Sequence, residues 1–238
     1  MYECETFVAY SFEATHCSIS PDTAIIHIKI IKRALGFESH TRCSHTMTSP
    51  HQRADLVNNI TEWEENGKKA ISLNTRAINI IWGGEASKDR YWKRTIIKES
   101  EDKGFSFEVV ELLGVYWLEL TGKIPLNLLS PGTTYTFSVT LKLTPNVSGW
   151  ENNLVMFRLS FPGDTAKVSA VELSSYSDGE WVDVPNGGLV FTVPQDNSYG
   201  MLSFAIYEFE GEEWKKGVIV KNVKFVPQAP QADLRTII

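Results

Sequence analysis

Beyond residue 51 this 238-residue chain has neither histidine nor cysteine. His16, His27, His40, His45 and His51, with Cys4, Cys17 and Cys43, all precede that point. A histidine general base, a cysteine nucleophile or a His/Cys metal cage therefore cannot be built from the body of the protein. Positive charge is also scarce: 23 Lys and Arg face 29 Asp and Glu, a net charge of −6. Phosphate contacts supply most of the affinity of nucleic-acid binders, so nucleic acid is not an expected partner. The basic residues that cluster, Lys93, Arg94, Lys98 and the pair Lys215 and Lys216, are interleaved with acids. No apolar run reaches the roughly 18–20 residues that cross a bilayer, and the best, residues 24–35, is broken by Lys29 and Lys32. The opening residues carry Glu3 and Glu5 and no basic stretch, unlike an export signal, so the expected compartment is the cytoplasm. The sequons at Asn59 and Asn146 would matter only outside it.

What remains is ordinary globular material, 42% apolar and 22% charged, enough for one sizeable domain plus an extension. Residues 1–57 mix His, Cys, Ser and Thr with little periodicity and are expected to be a weakly ordered extension. Four possible zinc ligands lie there, Cys17, His40, Cys43 and His45, but their spacing lacks the paired clamp of known zinc modules, so no metal or cofactor is expected. The thiols offer a route to cross-linking between chains. Residues 58–238 form the predicted domain. In residues 135–144, Tyr135, Phe137, Val139, Leu141 and Leu143 alternate with Thr136, Ser138, Thr140, Lys142 and Thr144, the pattern of an antiparallel strand with one wet face. Similar strands are expected near residues 78–82, 91–97, 105–113, 115–123, 154–161, 167–173, 181–184, 189–193, 201–209 and 218–226. Strands at this spacing, with hardly a helical period between them, predict an all-β fold: an antiparallel β-sandwich, jelly-roll-like.

Chemistry is expected at the loops of such a sandwich. Residues 83–93 leave a strand through Gly83 and Gly84 and end at Tyr91 and Trp92. Trp82 and Trp92 there are either open plates for the apolar face of a sugar or plugs in the end of the core. Glu208 shares the face of Leu202, Phe204 and Ile206 by parity, which is costly for a carboxylate. It marks a rim site, a salt bridge with Lys215 or Lys216, or a bulge. Trp117 is expected in the core; Trp214 either stacks on a ligand or covers a sheet edge, and the second is expected. Carboxylate pairs such as Glu108 with Glu111 or Glu172 with Asp183 are a weak basis for glycosidase-like acid/base work. No catalytic residue is assigned and no enzyme is predicted.

Several tryptophan-centred blocks follow one another at compatible spacing. They are Ile78-Asn79-Ile80-Ile81-Trp82, Asp89-Arg90-Tyr91-Trp92, the segment from Glu111 through Tyr116-Trp117 to Gly122-Lys123, Leu129-Ser130-Pro131-Gly132, Gly149-Trp150, Trp181, Ile206-Tyr207-Glu208 and Trp214-Lys215-Lys216-Gly217. Over about residues 70–227 this succession resembles the plant phloem protein 2-like proteins of the Nictaba-type lectins. The resemblance implies a cytoplasmic or nuclear lectin that binds N-acetylglucosamine oligomers or the N-glycan core on glycoproteins, without metal or catalysis, with a homodimer as a means to avidity. It implies Trp82, Trp92 and Glu208 as carbohydrate-binding residues, with Asp89 and Tyr91 as weaker neighbours. A second family glutamate aligns near Met201, where no carboxylate stands. The alternative is a non-catalytic structural or protein-interaction role with weak or no sugar binding.

Overall fold

A computed structural model of the chain describes residues 49–98, 106–161, 165–176, 179–196 and 200–229. Cys17, His40, Cys43 and His45, considered and disfavoured as zinc ligands, and the thiols lie outside these residues. Twelve strands run through them: β1 Ile60–Glu65, β2 Lys68–Asn74, β3 Asn79–Ile80, β4 Trp92–Lys98, β5 Ser106–Leu112, β6 Leu118–Pro125, β7 Thr134–Ser148, β8 Leu154–Ser160, β9 Lys167–Glu172, β10 Val182–Thr192, β11 Met201–Glu208 and β12 Lys216–Pro227. All pairings between them are antiparallel, and they divide into a seven-stranded and a five-stranded sheet. The antiparallel two-sheet sandwich predicted from the alternation is the architecture found.

The final strand organises the larger sheet. Residues 219–220 of β12 pair with β5 and with β7, and residues 222–225 pair with β2 and with β7. A strand has two edges, so β7 occupies one edge while β5 and β2 share the other, end to end. Beyond these lie β10 on β7, β4 on β5 and β1 on β2. The smaller sheet runs β3-β6-β11-β8-β9.

Parity decides what lies between the sheets. On β7, Tyr135, Phe137, Val139, Leu141 and Leu143 are all buried. Phe137 meets Phe225 of the same sheet at 5.3 Å between ring centres and Phe204 of the opposite sheet at 5.5 Å. Such tilted aromatic contacts add about 0.5–1.5 kcal/mol each beyond the burial of apolar area. Trp150 is buried too and donates its indole N–H to the carbonyl of Lys216 at 2.9 Å.

Three differences from the expected strands have local causes. The hairpin β1–β2 was not expected, although its turn, Asn66-Gly67, is the strongest short hairpin signal; both residues adopt positive φ, 51° and 70°. The segments expected at 181–184 and 189–193 are one strand, β10, interrupted by a register shift between Val184 and Leu189. Residues 49–57, grouped with the extension on sequence grounds, lie against the sandwich. Gln52 exchanges backbone hydrogen bonds with Ile80 and donates its side-chain amide to the carbonyls of Thr75 and Ile78, while Asn79 accepts from the N–H of Ala54.

Gly122 lies in mid-strand on β6 opposite Phe204 of β11, where a Cβ would stand 2.2 Å from the phenyl ring. Gly122→Ala should therefore overpack the core and lower stability by about 1–3 kcal/mol. Urea unfolding should show a lower midpoint with an unchanged slope.

Candidate functional site

One end of the sandwich collects most of the residues singled out from the sequence. Trp82 follows β3 with φ of +62°, the single aromatic among the non-glycine residues described with positive φ. A bulky residue there costs on the order of 1–3 kcal/mol and needs neighbours that fix it. Its backbone N–H donates to Nδ1 of His51 at 3.0 Å, and its ring meets His51 edge-on at 4.7 Å and Tyr91 at 5.3 Å. The indole remains half-buried. Asp89, also at positive φ (56°), turns the chain back toward β4, its N–H donating to the carbonyl of Trp92. Tyr91 is bracketed by Trp82 and by the guanidinium of Arg90, 5.1 Å from its ring centre.

Trp92 is not an open plate. It is 4% exposed, belongs to the core and donates its indole N–H to the carbonyl of Ile81 at 3.0 Å. As the first residue of β4, it falls on the inward row and closes the end of the core. Between it and the loop lies a shallow hollow of about 270 Å³, edged by Gly83, Glu85, Lys88, Asp89 and Arg94. Gly84 makes the loop possible, because a Cβ there would stand 2.2 Å from the carbonyl oxygen of Ser49.

Behind the hollow, Glu108 organises two cations. Arg76 grips it with Nε at 2.8 Å and Nη2 at 2.7 Å, Arg94 donates from Nη1, and Thr75 donates its hydroxyl at 3.1 Å. Burial pushes the Glu108 carboxyl up, but the Arg76 hydrogen bond and the charges of both arginines outweigh it and hold the group below the usual carboxylate range. That is the opposite of what a general acid needs. In the other suggested pair, Asp183 is held by Thr140 and Lys224, and Glu172 accepts from Ser174.

Glu208 is occupied as well. At 2% exposed, it accepts from the backbone N–H groups of Glu210 at 2.8 Å and Gly211 at 2.7 Å, and its other oxygen meets the Lys215 ammonium at 2.5 Å. Lys215 has no exposed surface, and its Nζ also donates to the carbonyls of Tyr116 and Gly211. Of the three possibilities for Glu208, the salt bridge with Lys215 is the one present. A carboxylate this buried, with one oxygen on two backbone N–H groups and the other ion-paired to Lys215, is not presented to a ligand.

Open rings lie beside this ion pair, and reasoning from sequence misses two of them, Tyr116 and Trp117. Trp117 is 61% exposed rather than in the core, because β6 begins only at Leu118 and a bend at Tyr116 and Trp117 breaks the parity counted from Val115. Trp214 is 51% exposed, and its ring meets that of Tyr116 at 4.4 Å. The two ring groups are linked by backbone: Leu113 donates to the carbonyl of Tyr91, and Val115 exchanges hydrogen bonds with Lys215. One rim thus carries His51, Trp82 and Tyr91, then Tyr116 and Trp214.

The described residues thus form a two-sheet sandwich with an aromatic rim at one end, and no trio of His, Cys, Asp or Glu side chains is grouped for a metal among them. The chain belongs to the phloem protein 2 family, whose model matches residues 68–227. It is 31% identical to phloem protein 2-like A1 of Arabidopsis thaliana over 69% of this chain and 64% of that one. It is 30% identical to a lectin of Luffa acutangula over 66% of this chain and 69% of that one. The Arabidopsis F-box protein PP2-B1 shares 34% identity over 48% of this chain and 32% of its own length. The chain spans between about a third and two thirds of the length of the first phloem protein 2-like relatives it matches. Among the described residues, no helix is long and apolar enough to cross a membrane.

Two outcomes follow from the buried charges. Lys215→Met should destabilise the protein by about 3–5 kcal/mol by stranding the Glu208 carboxylate, and adding Glu208→Leu should recover part of that loss, as read from denaturant midpoints. Because the Glu108 carboxyl is held low, its contribution is present above the unfolded-chain value of about 4.5 and is lost as pH falls below it. Glu108→Gln should therefore flatten the acid limb of a stability-against-pH curve.

Proposed function

We propose that this protein is a non-catalytic lectin that binds N-acetylglucosamine oligomers or the N-glycan core through the aromatic rim, with cytoplasmic or nuclear residence. The observation that carries this is Trp82: a half-open indole held at positive φ by His51 and Tyr91, beside exposed loop carboxylates. An indole of this kind covers the C–H face of a pyranose, while Glu85 and Asp89 accept hydrogen bonds from its hydroxyl or acetamido groups. Tyr116 and Trp214 extend the rim for a second sugar ring. Membership of a family that includes a Luffa lectin supports the assignment. Trp92 and Glu208 serve it indirectly, by fixing the loop and the rim. Each hydrogen bond to a sugar replaces one to water at a net gain of about 0.5–1.5 kcal/mol, so single-site affinity is modest and a homodimer would gain by avidity.

The second reading, a protein-interaction module, is favoured by one observation: an F-box protein carries a related segment as a third of its length. Silence toward chitooligosaccharides, together with self-association, would select it.

Calorimetric titration of the full chain with chitotriose tests the proposal. Trp82→Ala should weaken binding at least about tenfold, worth 1.4 kcal/mol, without changing the unfolding midpoint by much. Trp92→Ala should instead destabilise the fold by about 3–5 kcal/mol, as a core tryptophan does. Absence of heat at millimolar chitotriose with folded protein would refute the lectin assignment.

A further inference from the structure

We infer that the open cleft on the outer face of the seven-stranded sheet is a second saccharide site, taking an extended, neutral β-1,4-linked oligosaccharide. The inference extends the sugar-binding proposal and rests on it, but uses different residues on a different part of the sandwich.

One polar row of the larger sheet is not where alternation would leave it. On β7 the residues facing away from the core are Thr136, Ser138 and Thr140, a row expected to be washed by solvent. Ser138 is only 6% exposed and Thr140 8%. Thr136 and Ser138 form the floor of a cleft of about 1230 Å³, larger than the ≈300–1,000 Å³ of an ordinary small-ligand pocket, and Thr140 continues the row beyond it as a donor to Asp183. Alternate residues of one strand lie in a straight line, so the floor favours a straight, extended ligand over a single ring.

The walls are constructed features of the backbone. On one side β10 places four residues, 185–188, between Val184 and Leu189 where β7 places one, Ser138, and the excess forms a bulge beside the floor. Gly187 and Gly188 carry it at φ of 75° and 72°. A Cβ on Gly188 would stand 2.6 Å from Cβ of Thr136, so glycine is what lets the bulge press down on the floor. Against the bulge stands Tyr176, half-buried against the core, its hydroxyl accepting from the N–H of Asn186 at 3.2 Å, while Val226 of β12 lines the cleft from the other edge of β7. That bond fixes the Tyr176 ring against the bulge, and both residues line the cleft.

Charge narrows the ligand class. Asp183 accepts from Thr140 at 2.6 Å and pairs with Lys224 at 2.5 Å, so one carboxylate is already neutralised, yet about half of it stays open. Glu180 on the rim adds a second acceptor. Among the described residues that line the cleft none is cationic, and the neighbouring Lys224 ammonium is already paired with Asp183, which disfavours an anion. With Asp183 paired, little free charge is left to hold a basic peptide. Hydroxyls, an amide, carboxylate acceptors and one ring are the groups that meet the diols and C–H faces of a neutral sugar.

The test is calorimetric titration of the full chain with chitotetraose and, separately, cellotetraose, on wild type, Trp82→Ala, Tyr176→Ala and the exposed-site variant Glu180→Gln, whose fold should be unperturbed. The expected result is a second binding event that Tyr176→Ala weakens about tenfold and Glu180→Gln also weakens, while Trp82→Ala leaves it intact. An event lost in Tyr176→Ala and Glu180→Gln but indifferent to Trp82→Ala, with no other event, would uphold the cleft and sink the rim. Binding removed by Trp82→Ala and untouched by both cleft variants would overturn this inference and leave the rim standing. Heat absent for both sugars would overturn both. A cleft event abolished near 1 M salt, where screening acts within about 3 Å, would mark ion pairing with a charged partner and overturn it too.

Discussion

The ion pair between Glu208 and Lys215 joins the two sheets where the aromatic rim is built. Glu208 ends β11 of the smaller sheet, and Lys215 leads into β12, the central strand of the larger one. The ammonium also reaches the carbonyl of Tyr116 in the connection between β5 and β6. Three segments are thus fixed from one point, and Trp214 and Tyr116 are held at that point by their backbones. Two charges taken out of water are costly, and each would be unstable without the other. Their ion pair, with two backbone N–H groups on the other carboxylate oxygen, fixes the segments from which the rings project to solvent.

Around that clip the rim divides its labour between buried and open aromatics. Trp92 and Trp150 face inward and satisfy their indole N–H groups on backbone carbonyls, as buried indoles must. Trp82, Trp117 and Trp214 keep surface available. Strain is concentrated at Trp82, whose left-handed backbone is stabilised by a histidine from residues 49–57, so that short segment contributes to the rim although it precedes the first strand.

Much of the architecture was legible beforehand because a two-residue period reports directly on which side of a strand is dry. The alternation at Tyr135 through Leu143 placed β7 and its core row correctly, and the Asn66-Gly67 turn would have placed β1 and β2 had it been weighed. Site residues were harder to read, because parity fails where strands end. Trp117 lies one residue before β6 begins and turns outward, whereas Trp92 opens β4 and turns inward. Glu208 was recognised as a misplaced carboxylate, but local sequence could not say whether its partner was a ligand or a lysine seven residues on.

The sequence by itself determined the class of fold, the alternating rows that form the core, and the absence of histidine or cysteine chemistry from the strands. Those properties depend on residue type and near-neighbour spacing. Only the tertiary structure decided which rings face water, that Glu208 is spent on Lys215, and that the hydroxyl row of β7 lies at the bottom of a cleft. Each of these turns on contacts between segments far apart in the chain, where the geometry of a bend, a bulge or a strand end reassigns a side chain from one environment to another.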